Sequence, residues 1–165
     1  MKIKYNRFGI NIFNSKIKTL LTSIYILFKI KFNLEVYFMK DGLKEGMTLT
    51  HTKIVGADET AAKAASGTLN VYGTPFLVAF MEKTSLDIVA PFLDETESTV
   101  GISMNMKHLR ANKIGDEVVC KSTLTKIEGR KLTFEVVATY KDIVIGEGVH
   151  ERFVINIEKF LSKLN

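Results

Sequence analysis

Between Pro75 and Pro91 lies a stretch with almost no polar edge, and it dictates most of what this chain can become. Residues 76–90 are helix-compatible throughout, Pro75 follows a capping-type Thr74, and Pro91 helps stop the run. On a wheel at ~100° per residue only Lys83 and Asp87 form a polar edge. A helix apolar on nearly every side needs cover on nearly every side. Strands supply it. Residues 49–55 read as one. Val100, Ile102, Met104 and Met106 alternate with Gly101, Ser103, Asn105 and Lys107, and Val118, Cys120, Ser122 and Leu124 continue on a second. The turn Glu128-Gly129-Arg130 leads to Leu132, Phe134, Val136, Ala138 and Tyr140. A last strand spans residues 143–155, and a short amphipathic helix at 157–164 closes the chain. Residues 57–65 are Ala-rich and expected as a short helix or a structured loop, and residues 66–72 hold a brief β-like stretch. The sum is an α+β architecture, an antiparallel sheet wrapped around a central helix.

The 165 residues suit one domain with a real core, at 46% hydrophobic and 25% charged. The formal charge of +5 misleads. Seven Lys and Arg residues against the single Glu35 fall in residues 1–38, so the rest of the chain is close to neutral. With no basic stripe carrying interleaved aromatics after Met39, nucleic acid is not expected as a partner. Residues 1–38 are rich in Ile, Lys, Asn and Phe and contain no Ala, Asp or Pro. One reading makes them an extension upstream of a true start at Met39, leaving 39–165 as the domain. The other lays them on an anionic membrane surface, which makes residues 1–38 the only route to membrane association. The apolar run 19–28 is too short to cross a bilayer, which takes ~20 residues, and no small-x-small cleavage site follows it. The single Cys120 excludes an internal disulfide framework and fits a reducing, cytoplasmic setting. As one residue in an alternating strand it reads as small and buried. His51 and His150 show no ligand spacing with Cys, Asp or Glu, so no metal is expected.

Three residues carry chemistry. Glu82 falls between Leu86 and Val89 in angle, on the face that ought to be buried. Desolvation there would push its carboxyl toward the range useful for acid–base work. Its bland alternative is a carboxylate that bends out to solvent or pairs structurally with a cation. His108 continues the phase of Met104 and Met106 and should point toward the apolar face at a strand end, where a lone histidine is commonly a satisfied core residue. Two complementary ionisable groups in one small domain argue for function instead. Thr74 stands where the helix begins, either as a plain N-cap or beside N–H groups that favour an oxyanion, with Gly73 leaving room for close approach.

Several segments, in this order and spacing, resemble the fluoroacetyl-CoA thioesterase family. They are Ala65-Ser66-Gly67, Thr74-Pro75 with Glu82 eight residues on, Thr99-Val100-Gly101, His108, Gly129-Arg130 and Gly148-Val149-His150-Glu151-Arg152. The resemblance covers essentially everything after Met39. It implies a hotdog fold, a homodimer or dimer of dimers, and an enzyme hydrolysing acyl-CoA thioesters, with no cofactor beyond the CoA of the substrate. The family's catalytic Thr, Glu and His correspond to Thr74, Glu82 and His108, and Gly101, His108 and Arg152 match positions it places near the substrate. Fluoro-selectivity is associated in that family with an aromatic lid near the helix entrance. This chain has no aromatic between Asp58 and Leu69, so fluoroacetate resistance is not carried over. In the reaction so implied, Glu82 serves as nucleophile or general base, His108 shuttles the proton, and Thr74 positions or attacks the acyl carbon. Lys107, Arg110 and Lys113 are candidates for CoA phosphates or form an ordinary solvated loop. Two rivals share the fold: a hydratase or dehydratase acting on acyl thioesters, and an acyl-CoA-binding or sensing domain. A geometric question remains. Eight residues of helix rise ~12 Å, so Thr74 and Glu82 of one chain cannot touch if the helix starts at Pro75. Either the helix begins later, or antiparallel helices in a dimer bring unlike residues together.

Overall fold

The computed structural model describes residues 42–164, and both readings of residues 1–38 lie outside the described residues. Five strands form one antiparallel sheet: β1 (Thr48–Ile54), β2 (Glu97–His108), β3 (Glu117–Glu128), β4 (Lys131–Tyr140) and β5 (Ile143–Asn156). Their order across the sheet is β1-β3-β4-β5-β2. The helix α1 (Thr74–Val89) lies against one face, a 3-10 turn (Ala90–Phe92) follows it, and α2 (Ile157–Leu161) ends the described chain. Asn156 caps α2 by accepting from the Lys159 N–H at 3.0 Å. Among the described residues no helix is long and apolar enough to cross a membrane.

The alternating pattern fixes which face meets the helix. Val118, Cys120 and Leu124 of β3 and Leu132, Phe134, Val136 and Ala138 of β4 are all fully enclosed. They pack on Leu77, Phe80, Met81, Ile88 and Val89 of α1, each such burial contributing roughly 1.5–3 kcal/mol. Register carries the same face into β5. Ala138, Val136, Phe134 and Leu132 sit opposite Gly146, Gly148, His150 and Arg152. Gly146 is there because the helix is close: a Cβ would fall 2.9 Å from Leu77 Cδ2. The Cys120 thiol is enclosed and pushed up to about 11 by that burial, the inert cysteine expected of it.

One expectation needs correction, and one open alternative is decided. In β2 the register slips between Gly101 and Ser103, so Ile102 is an extra residue. The inward set is therefore Thr99, Gly101, Met104, Met106 and His108, and Ile102 is 51% exposed. Val100 and Ile102 do not share the face of Met104. His108 points inward as expected, but in a phase reset by the bulge. The Ala-rich segment forms turns, not a helix. Ala61 N donates to Val71 O and Ser66 N to Ala61 O, which folds residues 60–72 back as a loop bridged at Thr60 and Tyr72.

Candidate active site

α1 begins at Thr74 itself, with Gly73 as the N-cap and no side-chain cap. Thr74 is thus not a capping residue, and its hydroxyl is free for other work. It lies 2.9 Å from His108 Nδ1, at the last position of β2. The other ring nitrogen, Nε2, is buried and has no hydrogen-bond partner among the described residues. Burial holds the imidazole below its ordinary range, opposed by a backbone hydrogen bond at Arg110. The pair lines a cleft of about 680 Å³ with Ala61, Ser66, Val78 and Arg110. Gly73 faces elsewhere. A Cβ on it would meet the Thr60–Ala61 backbone at 3.1 Å, so its role is to seat the loop, not to admit a ligand.

Glu82 stands two turns further along α1, and among the described residues it forms no hydrogen bond or ion pair with His108. Its side chain is 39% exposed, so the enclosed carboxylate expected from the wheel is not what the chain builds. The reason is the helix flank. The buried helix positions are Leu77, Phe80, Met81, Thr84, Ser85, Ile88 and Val89, whereas Val78, Glu82 and Leu86 are only half-covered. Gly101 makes room for the carboxylate, since a Cβ there would lie 2.8 Å from Glu82 Oε1.

Behind Glu82 lies a polar cluster whose members the alternation of β5 could have disclosed. His150, fully buried, has Nε2 3.9 Å from Glu82 Oε1. Arg152 donates through Nε to Thr99 Oγ1 at 2.8 Å, through Nη2 to Thr99 O at 2.9 Å, and through Nη1 to His150 Nε2 at 3.2 Å. His150 Nε2 is therefore an acceptor, and Nδ1 carries the proton it gives to Ser103 O at 2.8 Å. Desolvation, with the Arg152 charge adding to it, keeps this histidine below its usual range. Gly148, His150, Arg152 and Val154 fall on one face at a spacing of two, yet from sequence alone His150 has no role beyond its place in the family-like segment and its lack of metal spacing. The basic trio divides as well. Arg110 lines the cleft, while Lys107 borders a groove with Glu135 and Glu147.

Residues 55–158 match the family of fluoroacetyl-CoA-specific thioesterases. The fluoroacetyl-CoA thioesterase of Streptantibioticus cattleyicolor is 33% identical over 132 residues, covering 76% of this chain and 95% of that protein. A solved structure of a fluoroacetyl-CoA thioesterase superposes with a TM-score of 0.72 at 32% identity, covering 75% of this chain and 96% of that one. A thioesterase superfamily member from Thermus thermophilus does so at 0.69 and 25% identity, over 75% and 92% of the two chains. By sequence and by fold, the chain belongs to the fluoroacetyl-CoA-specific thioesterase family of hotdog acyl-CoA thioesterases.

Proposed function

We propose that the chain hydrolyses acyl-CoA thioesters to free acid and CoA, in a cleft that a second copy of the chain completes. His108 carries this reading. One of its nitrogens engages Thr74, and the other is enclosed with nothing to bond. A buried polar atom left unpaired costs about 1–3 kcal/mol, so its partner is expected to arrive from outside the described residues. With α1 starting at Thr74, Thr74 and Glu82 lie too far apart along it to meet within one chain, which supports reading the site as shared between two copies. Two features support it: β2 is an edge strand with Ile102 exposed, and the Val78–Glu82–Leu86 flank of α1 is only half-covered. In this arrangement the partner copy presents its Glu82 to His108 Nε2.

The chemistry follows from the groups present. The thioester carbonyl sits at the start of α1, where N–H groups and the positive end of the helix dipole stabilise the developing oxyanion. A neutral His108 takes the proton of Thr74 as its Oγ1 attacks the acyl carbon. The C–S bond breaks and His108 returns the proton to the departing CoA sulfur. A water molecule, deprotonated by the same imidazole, then releases the acid and regenerates Thr74. Glu82 orients the ring and stabilises its charged form. Arg110, at the cleft wall, is the cation placed to meet CoA phosphate. Ala61 and Ser66 line the cleft within the stretch that lacks aromatics, so the acyl group is not restricted here to a fluorinated one.

Thiol release from a panel of acyl-CoAs, short, long and aryl, tests the reading. The expected result is turnover by the wild-type chain and a loss on the order of 100-fold or more in Thr74→Ala, with Thr74→Ser retaining a substantial part. Binding with no thiol released from any member would point instead to an acyl-CoA-binding domain, and an altered enoyl-CoA without free thiol to a hydratase.

A further inference from the structure

We propose that His150 is a positioning residue for Glu82: a neutral, proton-blocked imidazole behind the carboxylate that holds it facing the cleft. The inference rests on the thioesterase reading and assigns a role to a residue that the mechanism above does not use. His150 is fully enclosed, and both its nitrogens are committed. Ser103 O, brought into place by the bulge at Ile102, takes the Nδ1 proton, and Arg152 Nη1 fills the Nε2 lone pair. With that lone pair occupied, His150 cannot accept a proton from Glu82, although the carboxylate is 3.9 Å away. Protons handled at Glu82 therefore do not pass into the core through His150. The vacant Cβ position of Gly101, 2.8 Å from Glu82 Oε1 and 3.2 Å from His150 Cε1, shows the carboxylate seated against the ring. Arg152, pinned through His150 and Thr99, lends its charge to the same carboxylate from behind. The charged groups that bear on His150 are Arg152 and Glu151 from its own strand and Glu82 from α1. β2 and β4 add only the Ser103 carbonyl and the Phe134 ring.

The test pairs His150→Leu, which fills space but offers no acceptor to Arg152, with His150→Gln, whose amide oxygen does. In the full chain, kcat for the Leu variant should fall on the order of 30-fold with KM moving less than about threefold, and Gln should recover about tenfold of the loss. A Leu variant with wild-type kcat, or a Gln variant as impaired as Leu, overturns the proposal. Nitrogen-15 NMR of the wild-type ring decides the matter even if both variants fail to fold. A fixed Nδ1–H tautomer, with no titration through the ordinary imidazole range and ring signals that shift in Glu82→Gln, supports it. A ring that titrates like a free histidine, or is blind to Glu82→Gln, contradicts it. Absence of thiol release from the wild type would sink the hydrolysis reading alone, since the NMR outcome stands independently of turnover.

Discussion

The β2–β5 pair holds two inward histidines, His108 at its end and His150 further in, opposite Met104, and the two are built in opposite ways. At the end nearest the start of α1, His108 has one nitrogen on Thr74 and one buried and unpaired, beside an open cleft. Behind Glu82, His150 is enclosed, with both nitrogens bonded within the chain. Both rings are held below their ordinary range by burial. What separates them is unused bonding capacity. An imidazole with a spare nitrogen can move protons, while one whose lone pair and proton are both spoken for can only hold its neighbours in place. A perturbed histidine is thus not by itself evidence of catalysis, and the hydrogen-bond inventory tells the two roles apart.

That contrast can be broken in order of expected effect. His108→Ala should lower kcat/KM on the order of 1,000-fold while changing stability by less than about 1 kcal/mol. Stopped assays and denaturant unfolding on the same preparation measure both numbers, and a large loss of stability would make His108 a core residue after all. Arg152→Leu should show the reverse balance. It leaves His150 Nε2 and the Thr99 groups without their donor, which should cost about 3 kcal/mol of stability. Gly101→Ala should cost stability only on the order of 1 kcal/mol, because the Glu82 carboxylate can swing away and only the His150 ring, 3.2 Å from the added methyl, must give. Activity should still fall about tenfold as the Glu82 carboxylate is displaced. The smallest effect concerns pH. His108 must be neutral to take the Thr74 proton, so kcat/KM should fall as pH drops through its pKa. Burial places that limb below the ordinary imidazole range, and a partner carboxylate pulls it back upward. Residual activity in Glu82→Gln should therefore show its acid limb at lower pH than wild type, by about half a unit. An unmoved limb would mean that Glu82 does not reach His108.

Much of the fold was legible because the periods were clean. The inward residues Val118 to Leu124 of β3 and Leu132 to Ala138 of β4 were read in the right phase, although the pairing shifts between Leu124 and Lys126 and again between Ala138 and Thr139, and the proline-bounded helix could hardly be anything else. The bulge was not legible. Nothing in the composition of residues 100–104 announces an extra residue, and only pairing with β5 shows that Ile102 has been squeezed outward. The wheel placed Glu82 on a buried face because it assumed cover on every side, whereas the chain's own sheet leaves the Val78–Glu82–Leu86 flank partly open. His150 and Arg152 were within reach, as two ionisable residues in the inward phase of β5. Arg152 was marked only through the family resemblance and His150 was given no role, because their meaning depends on a three-way hydrogen-bond network that no periodicity encodes. Thr74 was legible in position but not in role, since a helix can begin at a threonine without using its hydroxyl as the cap.

The central claim is that a working site draws Thr74 and His108 from one copy of the chain and Glu82 from another. Mixing Glu82→Gln and His108→Ala subunits, each nearly inactive alone, tests it most directly. After dissociation and reassembly, half of the dimers carry both variants, and each of these holds one site with every residue intact. Recovery of about a quarter of wild-type thiol release is the predicted result. A mixture no more active than its two parents, under conditions where subunit exchange is shown by mass, would contradict it.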